Sequence, residues 1–207
     1  MTDQQAPLTE LYVVGPSSTG KTTLCNALAQ SMTPHSWCYI TEAARHVMKK
    51  RGFTRDDVET IEMQSAIMLA QLEREVEVCE RARSTGEALV LSDRSGVDPI
   101  VYAVLTAKDE RQARQKKSIL LEYPTFQSAL KRYRKAKFLL LRPVPEWLVD
   151  DGVRILEEQA RSFYVFRAML AELGIPYHVM GEEVKDLSER VNWVKGRITT
   201  GSADPGI

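Results

Sequence analysis

An α/β fold is predicted: three layers, with a five-stranded, mostly parallel sheet between helices. Two observations carry the prediction. Short apolar runs alternate with longer helical stretches along nearly all of the 207 residues, the order in which parallel strands are joined by crossover helices. The first such unit, Leu11 to Leu28, also holds Gly15-Pro16-Ser17-Ser18-Thr19-Gly20-Lys21-Thr22, a full match to G-x-x-x-x-G-K-[ST] set between a strand and a helix.

Local chemistry justifies each element in turn. Leu8–Val14 is apolar enough for a buried strand, and Thr22–Met32 has a helical composition that Pro34 ends. Trp37–Ile40 is a short second strand. Thr41 has the character of an N-cap for a helix over Glu42–Lys50, which Gly52 stops. Thr54 is expected to cap one long helix from Arg55 to Ser84. In it Val58, Ile61, Ala66, Met68, Leu69, Leu72, Val76 and Cys79 recur mostly at three- and four-residue steps. Ala88–Leu91 is a continuous apolar run, as in a strand buried on both faces. Val97–Thr106 and Ser118–Arg134 are helical stretches, the second broken near Tyr123-Pro124. Phe138–Leu141 is the fourth strand, Ile155–Leu173 a helix ended by Gly174, Pro176–Met180 the fifth strand and Leu187–Ile198 the last helix. Residues 8–198 therefore read as one domain with a lid segment at about 142–161. A flexible leader is expected at 1–7 and a disordered tail at 199–207, which lacks apolar content.

Composition narrows the partners. Lys+Arg and Asp+Glu both total 28, so the basic excess of a nucleic-acid binder is missing. The basic clusters Arg111–Lys117 and Lys131–Lys137 are interleaved with helix formers and read as solvated helix faces. Cys25, Cys38 and Cys79 are widely spaced, with no C-x-x-C pattern, and suggest reduced thiols. The start MTDQQAPLTE has neither the basic nor the apolar region of a secretion signal, and no apolar run approaches ~20 residues. A cytoplasmic monomer or homodimer, without nucleic-acid or membrane partner, is expected.

The glycine-rich stretch points to a nucleoside triphosphate. Gly15 and Gly20 let the backbone turn so that the amides of Gly15, Pro16-flanking Ser17, Ser18, Thr19, Gly20, Lys21, Thr22 and Thr23 converge on phosphates at a helix N-terminus. Lys21 is placed to reach the β/γ-phosphates, and the Thr22 hydroxyl to ligand Mg²⁺. Since a parallel sheet gathers its ligands at the strands' C-terminal ends, Glu42, Asp93 and the 142–161 connector should lie beside this loop. Asp93, just past the third strand, suits a metal-orienting carboxylate, or else a helix cap. Arg94 suits a phosphate or an anionic substrate, or else an ordinary ion pair, and Asp98 is a further substrate or metal candidate. Glu42 faces the acceptor side as a base for a hydroxyl, or else only stabilises a helix start; Arg45 would then help bind the acceptor. Arg142, Asp150, Asp151, Arg154 and Arg161 fill the connector. Arg154 and Arg161, seven residues apart on one helix face, suit a flap that closes over phosphates, or else a solvated surface.

With Gly15–Thr22, Glu42-Ala43-Ala44-Arg45, Asp93-Arg94 and Asp151-Gly152-Val153-Arg154 laid out, the chain resembles the NadR-type, ribosylnicotinamide-kinase-like AAA domains. These are P-loop NTPases related to nucleoside and nucleotide kinases, and the resemblance spans residues 9–195. It implies Mg-ATP as donor, a hydroxyl-bearing small molecule as acceptor and a lid over the phosphates. It also implies Lys21 and Thr22 as nucleotide and metal residues, Asp93 and Arg94 as central site residues, and Glu42, Arg45 and Arg154 around them. It does not name the acceptor.

Two rivals stand beside a small-molecule kinase. Asp93-Arg94-Ser95-Gly96 fits D-x-x-G, a pattern that senses a γ-phosphate in nucleotide switches, but no N-K-x-D or T-K-x-D follows the fourth strand. An oligomeric motor would usually carry a second acidic residue where Arg94 stands. The kinase reading accounts for the most residues.

Overall fold

The computed structural model describes residues 8–33, 35–147 and 153–199, apart from the side chains of residues 55, 153–156 and 199. Among these residues run five strands, β1 (Thr9–Val14), β2 (Tyr39–Ile40), β3 (Leu89–Asp93), β4 (Lys137–Leu141) and β5 (Tyr177–Met180). Eight α-helices separate or follow them: α1 (Lys21–Met32), α2 (Ala44–Arg51), α3 (Ile61–Thr85), α4 (Val97–Leu105), α5 (Glu110–Leu121), α6 (Pro124–Tyr133), α7 (Val153–Glu172) and α8 (Leu187–Thr199). The sheet order is β2-β3-β1-β4-β5, and every neighbouring pair is parallel, so the expected "mostly parallel" sheet is wholly parallel among the described strands.

Both faces of the sheet are covered, which is why β1 is apolar at successive positions and not only at alternate ones. Tyr12 and Val14 join Phe138 and Leu140 in a core with Met68 and Leu72 of α3, Ile100 of α4, Phe126 and Tyr133 of α6 and Phe166 of α7. On the opposite face, Leu11, Val13, Leu139 and Leu141 pack against Leu24, Cys25 and Leu28 of α1 and Val194 of α8. All three cysteines are buried and unbridged.

Several element boundaries move. Helix α2 begins at Ala44, with no side-chain cap from Thr41, so Glu42 lies in the loop ahead of it. The long helix expected from Arg55 begins at Ile61, where the Thr60 hydroxyl accepts from the Met63 amide; Thr54 instead closes a short turn with Asp57. Strand β3 runs on through Ser92 to Asp93, which pairs in register with Val13. Helix α5 starts eight residues earlier than expected, at Glu110, capped by the Asp109 carboxylate accepting from the Gln112 amide at 2.7 Å. Much of the basic sequence there does structural work. Lys117 pairs with Glu172, Arg134 donates to the Leu173 carbonyl, and Lys137 Nζ donates to the Arg197 and Ile198 carbonyls at the end of α8. The expected leader (1–7), most of the tail (200–207), and Asp150 and Asp151 lie outside the described residues. No helix among the described residues is long and apolar enough to cross a membrane.

Candidate functional site: a phosphate loop beside an acceptor cavity

The loop after β1 doubles back under a helix N-terminus. Gly15 (φ 138°), Ser18 (φ 57°) and Gly20 (φ 76°) take positive φ values, as a tight cradle of inward amides requires. At Gly15 a Cβ would stand 2.8 Å from the Leu141 carbonyl oxygen, and at Gly20 it would stand 3.0 Å from the Trp147 ring. Gly15→Ala is therefore expected to cost ~1–3 kcal/mol of stability, from backbone strain and the contact with β4. Thermal or urea melts would check it, and an unchanged midpoint would contradict it.

Lys21 opens α1 and is buried, its Nζ donating to the Pro16 carbonyl and lying 3.4 Å from Thr19 Oγ1. The ammonium thus curls over its own loop. Burial, reinforced by the Arg94 charge, brings its pKa down to about 8. Thr22 and Thr23 follow with exposed side chains at the mouth of the cradle. The Thr22 hydroxyl donates to Asp93 Oδ2 at 2.6 Å, joining the start of α1 to the end of β3 across 71 residues of sequence.

Asp93 is buried, and its second oxygen, Oδ1, has no hydrogen-bond partner. A buried orphan acceptor is costly, and burial accordingly raises the Asp93 pKa against the opposing Thr22 hydrogen bond. A hydroxyl and a carboxylate with a vacant lone pair fit Mg²⁺, which keeps most of its waters and takes one or two protein ligands alongside phosphate oxygens. Among the described residues no cluster of three or more His, Cys, Asp or Glu offers an all-protein metal cage, so Thr22 and Asp93 are the pair that suits such an ion. Because the folded state raises the Asp93 pKa, the charged form carries a cost that grows as pH rises from ~4 through the folded pKa. Asp93→Asn is therefore expected to melt higher than wild type at pH 7 without divalent ions, to lose that advantage below ~pH 4, and to lose Mg²⁺-dependent nucleotide stabilisation. Melting curves with and without Mg²⁺ and nucleotide test this; a lower midpoint at pH 7 would contradict it.

Arg94 follows with φ 80°, unusual for a residue with a side chain and costing ~1–3 kcal/mol. The backbone is held there by the Arg94 amide donating to the Val13 carbonyl (3.0 Å) and by Ser92 Oγ donating to the Arg94 carbonyl (2.8 Å). This turn brings the guanidinium to two carboxylates. Its Nε donates to Glu42 Oε1 at 2.8 Å, and one terminal nitrogen lies 3.3 Å from Asp98 Oδ1. Asp98 is buried and also accepts from the Ser95 amide and hydroxyl. Burial works against the Arg94 charge, but Asp98, Tyr102 and Glu42 outweigh it and hold the group above its ordinary pKa; burial raises the Asp98 carboxyl.

These residues line a cavity of about 190 Å³. Its charged groups are Glu42, Arg94 and Asp98; Val58, Met63, Ile67, Pro99 and Tyr102 make its apolar walls, and Gln64 and Gln71 add amides. Arg45 stays outside, its side chain 91% exposed and 3.8 Å from Glu42. Arg161 lines a second cleft of about 260 Å³ with Ser17 and Tyr102, beside Gln159, whose amide donates to Ser17 Oγ at 2.8 Å. The side chain of Arg154 is outside the described residues, though its backbone lies in α7. Arg142 is exposed and sits over the Phe163 ring.

Two parts of the site, one under the loop and one in the cavity wall, escaped sequence reasoning. Buried Arg190 of α8 donates to the Thr19 carbonyl (3.2 Å) and lies 4.8 Å from the Trp147 ring centroid, backing the cradle from beneath. Gln71 and Gln64 sit on the buried face of α3. Neither set carries a motif. The only signal was a polar stripe on an otherwise apolar helix face.

A buried glycine-rich cradle beside a hydroxyl–carboxylate pair, with a separate cavity on the β2 side, defines a P-loop nucleoside/nucleotide-kinase-like domain. The chain belongs to the AAA domain family, whose model matches residues 10–190. Two NadR crystal structures illustrate the likeness. The complex with NAD and AMP-PNP aligns with TM-score 0.68 and 19% identity over 97% of this chain and 51% of that one. The complex with NR aligns with TM-score 0.67 and 23% identity over 94% and 52%. The chain thus spans about half the length of these NadR proteins. Thymidylate kinase from Ehrlichia chaffeensis aligns with TM-score 0.60 and 14% identity over 93% of this chain and all of its own. No curated protein matches the sequence.

Proposed function

We propose that this domain is a cytoplasmic small-molecule kinase that transfers the γ-phosphoryl of Mg-ATP to a hydroxyl of a nucleoside-like or other small metabolite. The observation that carries the reading is the two-sidedness of the site. Thr22 and Asp93 face the phosphate loop, while Glu42, Arg94 and Asp98 face a separate cavity, and Arg94 follows Asp93 directly in the chain. A nucleotide binder without an acceptor has no use for the second half.

In this reading the loop amides of Gly15–Thr23 and Lys21 hold the triphosphate. Thr22 and Asp93 would hold Mg²⁺, which would neutralise charge on the β- and γ-phosphates. The acceptor hydroxyl lies against Glu42, which takes its proton as the bond to phosphorus forms; Arg94 orients that carboxylate. Asp98 fixes Arg94 in turn. Arg161, in the cleft beside Ser17, and Arg154 are the lid arginines that would meet developing charge. Arg45 at the rim is left for the acceptor's outer end. The fold kinship with thymidylate kinase and the NadR proteins supports a phosphotransferase.

A γ-phosphate switch fits less well. Its D-x-x-G glycine amide must be free to meet phosphate, whereas the Gly96 amide donates to the Tyr133 hydroxyl at 2.9 Å inside the core. The test is ADP formation with Mg-ATP, alone and against a panel of nucleosides and other hydroxylated metabolites. ADP release that rises with one compound supports the kinase; slow turnover indifferent to all of them, with tight nucleotide binding, supports the switch.

A further inference from the structure

The turn that carries Asp93 and Arg94 is tied from below to one buried carboxylate. Glu75 of α3 has no exposed surface, and two hydrogen-bonded branches run from it to the Asp93–Gly96 turn. In one, the Tyr133 hydroxyl donates to Glu75 Oε2 (2.7 Å) and accepts from the Gly96 amide (2.9 Å). In the other, Gln71 Nε2 donates to Glu75 Oε1 (3.1 Å) and to Ser92 Oγ (3.1 Å), and Ser92 Oγ donates to the Arg94 carbonyl (2.8 Å).

The polarity of both branches is set at their origin. An ionised carboxylate only accepts. The Tyr133 proton must therefore point to Glu75, leaving a lone pair for the Gly96 amide. Likewise both Gln71 N–H groups are spent on acceptors, so the Ser92 proton is free to go to Arg94. The second branch ends on the carbonyl of the one residue here held at φ 80° with a side chain attached. We propose that Glu75 is a positioning residue for the reaction, holding through Tyr133 and Gln71 the turn that presents Asp93 to the phosphate loop and Arg94 to Glu42. The effect on turnover rests on the kinase reading; the effect on the turn does not.

The groups facing Glu75 come from three elements. Strand β1 contributes Glu10 and Tyr12, with Arg83 paired to Glu10; α3 itself contributes Gln71 and Cys79; α6 contributes Arg132, 3.1 Å from Glu75 Oε2, and Tyr133. Burial pushes the Glu75 carboxyl up to about 7, against Tyr133, Arg132 and Gln71, which favour its charge. Protonation near neutrality would put a donor on one of the two oxygens, where a branch needs an acceptor, and weaken the other as an acceptor, so the turn should report the charge on Glu75.

The experiment follows the Gly96 amide and Arg94 Nε by nitrogen NMR from about pH 5.5 to 8.5, together with steady-state phosphoryl transfer, in wild type, Glu75→Gln and Tyr133→Phe. In wild type both signals are expected to share a midpoint near neutrality, and in Glu75→Gln that midpoint should vanish, leaving on Arg94 Nε only the Lys21 titration near 8. The turnover number should fall ~tenfold or more in each variant, with nucleotide KM within about twofold of wild type and a cooperative melt retained. Tyr133→Phe keeps the ring that packs on Tyr12, Phe126 and Phe138, so it reads out the branch even where Glu75→Gln folds poorly. Signals that titrate alike in wild type and Glu75→Gln, or a variant with wild-type turnover and pH profile, would overturn the proposal. Absence of transfer by wild type to every compound would sink the kinase reading, and the NMR titration would still decide whether Glu75 governs the turn.

Discussion

Lys21→Ala is expected to lower nucleotide-dependent turnover by ~10²–10³-fold, the scale of losing one charged or oriented donor to a transferring phosphoryl group. The loop alone would still offer its amides, so residual weak triphosphate binding is expected. The structure gives the lysine a second duty. Its ammonium donates to the Pro16 carbonyl and lies close to Thr19, in a buried place that brings its pKa to about 8. In the proposed role a triphosphate in the cradle would supply the counter-charge and draw Nζ from the loop carbonyl. Triphosphate affinity should therefore weaken as pH rises above about 8 in the wild-type protein, and the pH dependence should vanish in Lys21→Ala. Calorimetric titration across that range checks both halves; wild-type-like affinity in the variant would contradict the role.

Glu42→Gln is the second large effect, and it separates the two sides of the site. Loss of a general base costs ~10²–10⁴-fold in kcat, while the phosphate loop and the Thr22–Asp93 pair are untouched. The nucleotide KM should hold and the turnover number collapse. The amide can still accept from Arg94 Nε, so the cavity should keep its shape. If the variant kept full transfer activity, Glu42 would serve only to orient Arg94.

The fold was legible because its signals are local. Apolar runs buried on both faces announce parallel strands, and the glycine-rich loop announces its own surroundings. Boundaries were less so. The sequence predicts a start of α5 only at Ser118, since the Arg-, Gln- and Lys-rich run Arg111–Lys117 shows little apolar periodicity; it begins at Glu110 because of the Asp109 cap. The buried face of α3 departs from its apolar periodicity at one point. Periodicity places Val76 in the core, yet it is 44% exposed, while the neighbouring Glu75 is buried. A carboxylate goes inside only where partners wait for it, and here they sit 57 and 58 residues away at Arg132 and Tyr133. In the site, Thr22 with Asp93 and Glu42 with Arg94 could be anticipated from the strand ends to which they belong. Arg190 could not, because what places it under the Thr19 carbonyl is the return of α8 to the far side of β1, 171 residues on.

The central claim is that the two halves of the site act on one phosphoryl group. The most direct measurement follows the label from γ-labelled ATP, in the presence of the compound that most accelerates ADP release. Label recovered on a hydroxyl of that compound, and lost in Glu42→Gln while nucleotide still binds, is the predicted result. Label recovered only in inorganic phosphate, at a rate the compound does not change, would contradict it.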